Sequence, residues 1–331
     1  MSTIKNKTIL ITGGTGSFGK KCTEILLNEY NPTKLMIFSR DELKQFEMQK
    51  KFSVEKYPNI RYFLGDVRDK ERLYRAFEEV DIVIHAAALK QVPAAEYNPF
   101  EFVKTNIMGA QNIINAAIDK NVEKVIALST DKAVAPINLY GATKLVSDKI
   151  FIAGNSYTGM KKTRFSVARY GNVIGSRGSV IPHFLKEKEK GIIPITDKRM
   201  TRFWITKEQA VRFTLNCLEI MDGRELFVPK IPSMKLIDLA KSIAPDAEHK
   251  IIGVRPGEKL HEVMIINDIS YDIFESKDHY VIFPKEYTKK ETKHKYKKHI
   301  DEFIYSSDNN TQWLDIEDIR KIIEYEKKDF D

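Results

Sequence analysis

Along the first half of the chain, short runs that are apolar almost from end to end alternate with longer stretches of helical periodicity. Thr8-Ile9-Leu10-Ile11-Thr12, Lys34-Leu35-Met36-Ile37-Phe38, Ile60 to Leu64, Asp81 to Ala88, Lys124-Val125-Ile126-Ala127-Leu128 and Thr163 to Arg169 each predict a strand. The segments between the first five suit helices of about ten residues or more. Such alternation predicts an α/β fold, a parallel sheet covered by helices on both faces, with ligands bound at the carboxyl ends of its strands.

After Arg169 the rhythm breaks. Tyr170 to Ser179 is rich in glycine, and Val180-Ile181-Pro182 predicts a helix start, because proline suits the first turn. Short elements across Pro194 to Trp204, a helix from about Thr206 to Met221, and a polar cluster from Gly253 to Lys259 follow. The pattern divides the chain into a domain of residues 1–171, with a returning segment near 204–228, and a smaller substrate lobe made of 172–203 and 229–331.

With 331 residues, 42% of them hydrophobic, the chain can bury a sizeable core. The net charge of +8 raises nucleic acid as a partner, but much of the excess sits in one polar run with lysines at 285, 289, 290, 293, 295, 297 and 298. A run of this kind is expected to be a solvated loop, so no nucleic-acid partner is expected. No apolar stretch approaches the roughly 18 residues of a membrane span, and Met1 to Lys7 lacks a signal-peptide pattern. A cytoplasmic protein without a membrane partner is expected. Cys22 and Cys217 offer neither a disulfide framework nor metal-ligand spacing, and both are expected in the core.

The first apolar run leads directly into Gly13-Gly14-Thr15-Gly16-Ser17-Phe18-Gly19 and then a helical pattern. Strand, glycine turn and helix occur in the order of a Rossmann-type, doubly wound dinucleotide fold. Gly13 suits the positive φ of the tight turn, Gly16 permits close approach of a pyrophosphate, and Gly19 lets the helix lie against the strand. The helix start then offers N–H groups to phosphate. At the end of the second strand, Ser39, Arg40 and Lys44 favour the 2′-phosphate of NADP, while Asp41 pulls toward the free 2′-hydroxyl of NAD. Glu42 and Leu43 belong to the same stretch. Asp66 and Val67 follow the third strand where adenine would lie, and Ala86 to Ala88 are small enough for a cofactor to pass. Lys90 is placed to meet phosphate or substrate; His85, alone at the end of a buried strand, reads as structural. Asn106 is expected to brace adjacent loops.

The densest chemistry follows the fifth apolar run. Ser129-Thr130-Asp131-Lys132 and then Tyr140-Gly141-Ala142-Thr143-Lys144 place three hydroxyls, a carboxylate, two amines and a phenol close together. These make a full set of proton-transfer groups. A phenol with a reference pKa of about 10 is a poor base, and Lys144, one helical turn on, is expected to favour its phenolate. A basic Lys132 must be neutral part of the time. Lowering its pKa from about 10.4 to near 7 takes roughly 4 to 5 kcal/mol, expected here from burial beside cations. Asp131 is expected to be raised and protonated. The bland alternative for Asp131 and Lys132 is a surface ion pair.

The glycine turn together with Tyr140-x-x-x-Lys144 resembles the extended short-chain dehydrogenase/reductase family. Within it, Gly13 to Gly19, Arg40 to Lys44, Ser129 to Ala133, Arg169-Tyr170-Gly171-Asn172-Val173 and Arg255-Pro256-Gly257-Glu258-Lys259 resemble the inverting UDP-N-acetylglucosamine 4,6-dehydratases. The similarity covers all but the loop near Ser53 to Pro58 and the stretch from about Asp268 to Ile300. It implies a regenerated NADP, UDP-N-acetylglucosamine as substrate, loss of water with inversion at C5, the first step of pseudaminic acid synthesis, and a homo-oligomer. It also implies that Thr130, Asp131, Lys132, Tyr140 and Lys144 are catalytic. Lys90, Leu128, Ser129, Asn172, Val180, Ile181, Pro182, His183, Phe184, Arg255 and Glu258 would hold the nucleotide-sugar. Retaining sugar dehydratases have glutamate at the position of Lys132, and capsule or O-antigen dehydratase/epimerases can have methionine at that of Tyr140. A 4-epimerase, which would need Tyr140 and Lys144 but not Asp131 and Lys132, a capsule or O-antigen dehydratase/epimerase, and an NADP-sensing binding protein are the alternatives.

Overall fold

All six apolar runs become neighbours in one sheet. The computed structural model describes residues 3–176, 179–288, 297–299 and 303–327. Its first part runs β1 (Thr8–Thr12), α1 (Ser17–Ile25), β2 (Lys34–Ser39), α2 (Glu42–Lys51), β3 (Ile60–Leu64), α3 (Lys70–Ala76), β4 (Ile82–His85), α4 (Val92–Tyr97), α5 (Pro99–Phe102), α6 (Gly109–Asp119), β5 (Lys124–Thr130), α7 (Leu139–Gly154) and β6 (Arg164–Tyr170). These strands are parallel in the order β3-β2-β1-β4-β5-β6. The order reverses at β1, and a crevice for a ligand opens at the carboxyl ends there.

Alternation along the strands explains the two covering layers. Leu10, Val83 and Val125 pack on one face with Leu73 of α3, Ile113 of α6 and Phe151 of α7. Ile9, Ile11, Ile84 and Ile126 pack on the other with Cys22 of α1 and Met48 of α2. The chain then leaves the sheet through β7 (Asn172–Val173), α8 (Val180–Lys188), β8 (Ile192–Ile195) and β9 (Thr201–Ile205). It returns as α9 (Lys207–Ile220), started by a reciprocal Thr206/Gln209 cap, and β10 (Leu226–Pro229), which lies parallel to β6. Val211, Leu215 and Leu218 of α9 are buried on the sheet, each contributing roughly 1.5–3 kcal/mol. Cys217 is buried on the same helix.

The lobe is completed by β11 (Ser233–Lys235), α10 (Leu236–Ile243), β12 (Glu248–Ile251) and β13 (Val263–Ile265). Next come β14 (Tyr271–Glu275), β15 (His279–Pro284), β16 (Lys297–His299), β17 (Tyr305–Ser306) and α11 (Ile316–Glu326). The lobe has its own core, in which Ile181 and Phe184 of α8 meet Ile193, Trp204, Leu239 and Ile319. One boundary differs from the sequence division: β15, β14 and β16 extend the large sheet beyond β10 in antiparallel fashion. The apolar hairpin Tyr271 to Pro284 places Phe274 and Phe283 on one face of that sheet and Ile273 and Ile282 on the other, which makes it a sheet edge rather than lobe. The lysine-rich run is accordingly not all loop, since Lys285–Tyr287 forms a helical turn and Lys297–His299 a strand. Lys289, Lys290, Lys293 and Lys295 lie outside the described residues. Among the described residues no helix is long and apolar enough to cross a membrane.

Candidate active site

A cleft of about 610 Å³ opens over the carboxyl ends of β1, β4, β5 and β6. Its floor at one end is the glycine turn. Gly13 has φ +66°, and a Cβ there would stand 2.8 Å from the Ala87 nitrogen, so the turn and the β4 end can approach only without a side chain. A Cβ on Gly19 would overlap the Gly14 carbonyl, so α1 packs directly on the turn. Gly16 is the N-cap of α1 and makes no side-chain cap. The turn therefore combines glycine geometry with a helix start left free of a capping side chain, a cradle that fits a dinucleotide pyrophosphate.

At the β2 end, Ser39, Arg40, Asp41 and Lys44 line the same cleft, as do Asp66, Val67 and Ala86. Asp41, the one group there that pulled toward NAD, is engaged structurally. Its carboxylate caps α2 by accepting from the Lys44 backbone N–H at 3.0 Å and pairs with Lys44 Nζ at 2.7 Å. Asp66 lies 2.7 Å from Arg68 and 3.8 Å from Arg40; burial tends to raise its carboxyl, but the bonds from Arg68 outweigh it and hold the pKa low. Glu42 and Leu43, expected at the cofactor, do not line the cleft; they begin α2, and the Leu43 side chain is exposed.

At the other end stand Thr130, Lys132, Tyr140 and Lys144, brought together because β5 runs into a tight turn and α7 folds back over it. Asn138 caps α7 by accepting from the Gly141 N–H at 2.8 Å. A Cβ on Gly141 would overlap the Lys132 carbonyl, so this glycine sets how closely α7 approaches the turn, a role its sequence context did not disclose. Lys144 is buried and donates to the Leu128 carbonyl at 2.7 Å; burial lowers its pKa. His85, bonded to Thr12 at 2.7 Å, is pushed down to about 3 by burial and so stays neutral. Asn106 accepts from the Leu89 N–H at 2.9 Å and donates to its carbonyl at 2.9 Å and to Thr143 at 3.0 Å, tying the Lys90 loop to α7.

The acid–base groups differ from expectation in two respects. Burial alone would lower the Lys132 amine, but its ammonium lies 3.0 Å from Asp131 and 3.2 Å from Glu262, and the two carboxylates move its pKa above the usual lysine range. Tyr140 is pushed up to about 12, chiefly by burial, with the Lys132 charge acting in the opposite direction; the Thr130 hydroxyl donates to Asp131 at 2.9 Å. The protein's own groups thus favour phenol over phenolate. Asp131 behaves as expected: it is fully buried, and desolvation raises its pKa. The alternative of a solvated surface pair does not describe this site.

Glu262 is the residue that sequence reasoning missed. It lies in the lobe, 130 positions beyond Lys132, and no local pattern joins the two. Of the residues assigned to the nucleotide-sugar, Lys90, Leu128, Ser129 and Asn172 line the cleft. The Ser129 hydroxyl, however, donates to Asp148 at 2.6 Å, in a buried network that Arg169 completes at 3.1 Å. Val180, Ile181, Pro182, His183 and Phe184 do not line it, and Ile181 and Phe184 are in the lobe core. Arg255 and Glu258 also stand outside the lining, 3.8 Å from each other. The Asn172 Oδ1 is buried without a hydrogen-bond partner among the described residues, an acceptor available to a ligand at the boundary between the lobes.

Residues 9–284 match a family model described as polysaccharide biosynthesis protein. The chain is 56% identical over 329 residues to a UDP-N-acetylglucosamine 4,6-dehydratase (inverting) of Campylobacter jejuni, covering 96% of this chain and 98% of that protein. It is 40% identical over 285 residues to a UDP-glucose 4-epimerase of Rickettsia conorii, covering 84% and 83%. Among solved structures, Pen from Bacillus thuringiensis superposes with a TM-score of 0.89 at 38% identity, covering 98% of this chain and 99% of that one.

Proposed function

The chain belongs to the polysaccharide biosynthesis protein family, with the architecture of the extended short-chain dehydrogenase/reductases, and on that premise we propose that it is an NADP-dependent UDP-N-acetylglucosamine 4,6-dehydratase that inverts C5. The observation that carries the reading is the pairing of Lys132, which lines the same cleft as Tyr140 and Lys144, with Asp131 buried directly behind it. An acid and a base beside an alcohol-oxidising pair are what elimination next to a new ketone requires. The preference for NADP rests on Asp41 being held as a helix cap while Arg40 lines the cleft.

The glycine turn and α1 would hold the pyrophosphate, and Ser39 and Arg40 the 2′-phosphate. When bound, NADP⁺ supplies the hydride acceptor for C4 and the hydride later delivered to C6. As phenolate, the form that the Lys132 and Lys144 cations and the positive charge of a bound nicotinamide would favour against burial, Tyr140 would receive the proton of the sugar 4-hydroxyl. The ketone acidifies the C5 proton, which the Lys132 amine removes. Asp131, whose pKa burial raises, would give its proton to the C6 hydroxyl as it departs as water. Return of a proton to C5 from the opposite face inverts that centre. The product is UDP-2-acetamido-2,6-dideoxy-β-L-arabino-hex-4-ulose, the first intermediate of pseudaminic acid synthesis.

Incubation of the purified protein with UDP-N-acetylglucosamine should yield a product lighter by the mass of one water, inverted at C5 by NMR. The 40% identity to a UDP-glucose 4-epimerase favours a second reading, simple inversion at C4. A product of unchanged mass with inverted C4 would replace the dehydratase by that activity.

A further inference from the structure

In this structure the Lys132 ammonium sits between two carboxylates, yet the proposed reaction needs its free amine. Glu262 immediately precedes β13 and is 2% exposed. Its backbone is fixed by a pair of bonds with Ser307, the N–H donating to Ser307 Oγ at 2.9 Å and the carbonyl accepting from the Ser307 N–H at 2.8 Å. Its Oε1 lies 3.2 Å from Lys132 Nζ and 3.6 Å from Arg202 Nε, whereas Oε2 is buried with no hydrogen-bond partner among the described residues. The lobe therefore delivers to the catalytic turn a carboxylate with one oxygen on the lysine and spare capacity to bind a proton.

We propose that Glu262 is a positioning residue for the C5 step, taking up the proton that Lys132 must lose before its amine can act on the sugar. This rests on the dehydratase reading above. One Lys132 N–H bond breaks as an O–H bond forms on Glu262, converting ammonium and carboxylate to amine and carboxylic acid. The amine lone pair then bonds the C5 proton, the C5–H electrons form the C5=C6 bond, and the C6–O bond breaks with the Asp131 proton carried away in water. Glu262 acts only through Lys132.

Several charged groups surround this exchange. Lys132, Arg202 and Lys259 face Glu262, whose pKa burial would raise and these three cations lower; Asp131, Tyr140, Lys90 and Arg202 face Lys132. Glu262 is therefore ionised near neutral pH, and it is the exclusion of water by a bound sugar, which penalises the buried ion pair, that would favour moving the proton onto it. Lys259 also donates to the Val134 carbonyl, and Asn138 Nδ2 to the Gly257 carbonyl at 2.7 Å, so the segment carrying Glu262 is tied to the turn carrying Lys132.

The test is Glu262→Gln in the full-length protein, which preserves shape and removes the proton acceptor. Three readouts are taken: solvent deuterium entry at C5, formation of reduced nicotinamide at 340 nm on mixing with UDP-N-acetylglucosamine, and the pH profile of exchange. Exchange should fall by about 10²-fold, nicotinamide reduction should persist, and the remaining exchange should rise toward alkaline pH as Lys132 loses its proton to solvent instead. Exchange within threefold of wild type overturns the proposal, and so does equal loss of reduction and exchange, which would mark a merely structural residue. Should Glu262→Gln not fold, Glu262→Asp decides the question: withdrawing the carboxylate by one methylene should lower exchange about tenfold, and unchanged exchange overturns the proposal. Failure of the wild-type protein to release water would instead overturn the dehydratase reading, an outcome visible before any variant is made.

Discussion

Replacing Lys132 by methionine removes the charge that two buried carboxylates share while nearly preserving volume. Asp131 is fully buried and Glu262 is 2% exposed, and their contacts to Lys132 are 3.0 and 3.2 Å. Removing one member of a buried ionic cluster costs about 3–5 kcal/mol, because the remaining charge is left unpaired in a medium that solvates it poorly. Arg202, 3.6 Å from Glu262, offsets part of this, so about 3 kcal/mol is expected near pH 8. The pH dependence then reverses in sign. In the wild type, Glu262 is lowered, so its contribution is present above the unfolded carboxylate pKa and is lost as pH falls through the folded value. In the variant its folded pKa lies above the unfolded one, so the carboxylate is destabilising at high pH and protonation relieves it as pH falls. Urea unfolding of both proteins at pH 8 and pH 5.5 checks this: the deficit should shrink by 1 kcal/mol or more, on the order of one pKa unit, at the lower pH. An equal deficit at both values, or one below about 1 kcal/mol at pH 8, would refute the claim that Lys132 neutralises these carboxylates. C5 exchange in the same variant should fall by at least about 10²-fold.

Tyr140→Phe should fold normally and lose nicotinamide reduction by about 10²-fold or more in stopped-flow absorbance, since it removes the acceptor of the 4-hydroxyl proton. Arg40→Ala should weaken NADP binding by roughly 10–100-fold, as expected for a charged hydrogen bond to phosphate, and leave NAD binding within a few-fold by calorimetry. Gly141→Ala drives a methyl group into the Lys132 carbonyl; thermal unfolding should show a loss of about 1–3 kcal/mol, and kcat should fall further than KM changes as the turn is displaced. Asp148→Asn leaves Arg169, which is 7% exposed, without its carboxylate, and should destabilise the protein by several kcal/mol in urea unfolding with little change in cofactor affinity.

How far local pattern could be read is clearest at the two ends of the cleft. Gly13 to Gly19 is a contiguous instruction: the strand, the turn and the helix start are neighbours in the chain, and the geometry each glycine allows is local. The same holds for Lys132, Tyr140 and Lys144, separated only by a turn and the start of α7. His85 and Asn106 were also legible, since a polar group at a buried strand end or helix must find a partner nearby. Ile181 and Phe184, assigned to the nucleotide-sugar by resemblance, have their side chains in the lobe core, a placement that local sequence does not reveal because an apolar residue has the same signature whether it faces a ligand or a core.

From its sequence alone, then, this protein's parallel sheet, its dinucleotide turn and its proton-transfer groups follow, because each depends on periodicity or on residues within a few turns of one another. The charge states of those groups do not. Lys132 is raised by Asp131 beside it and by Glu262, brought from the other lobe, and Tyr140 is raised by burial that several elements create together. The hairpin Tyr271 to Pro284 joins the large sheet rather than the lobe because β10 presents an edge for it to pair with. Electrostatic energies depend on distance and solvent exclusion, and strand pairing on which edge is open, so only the folded chain decides them.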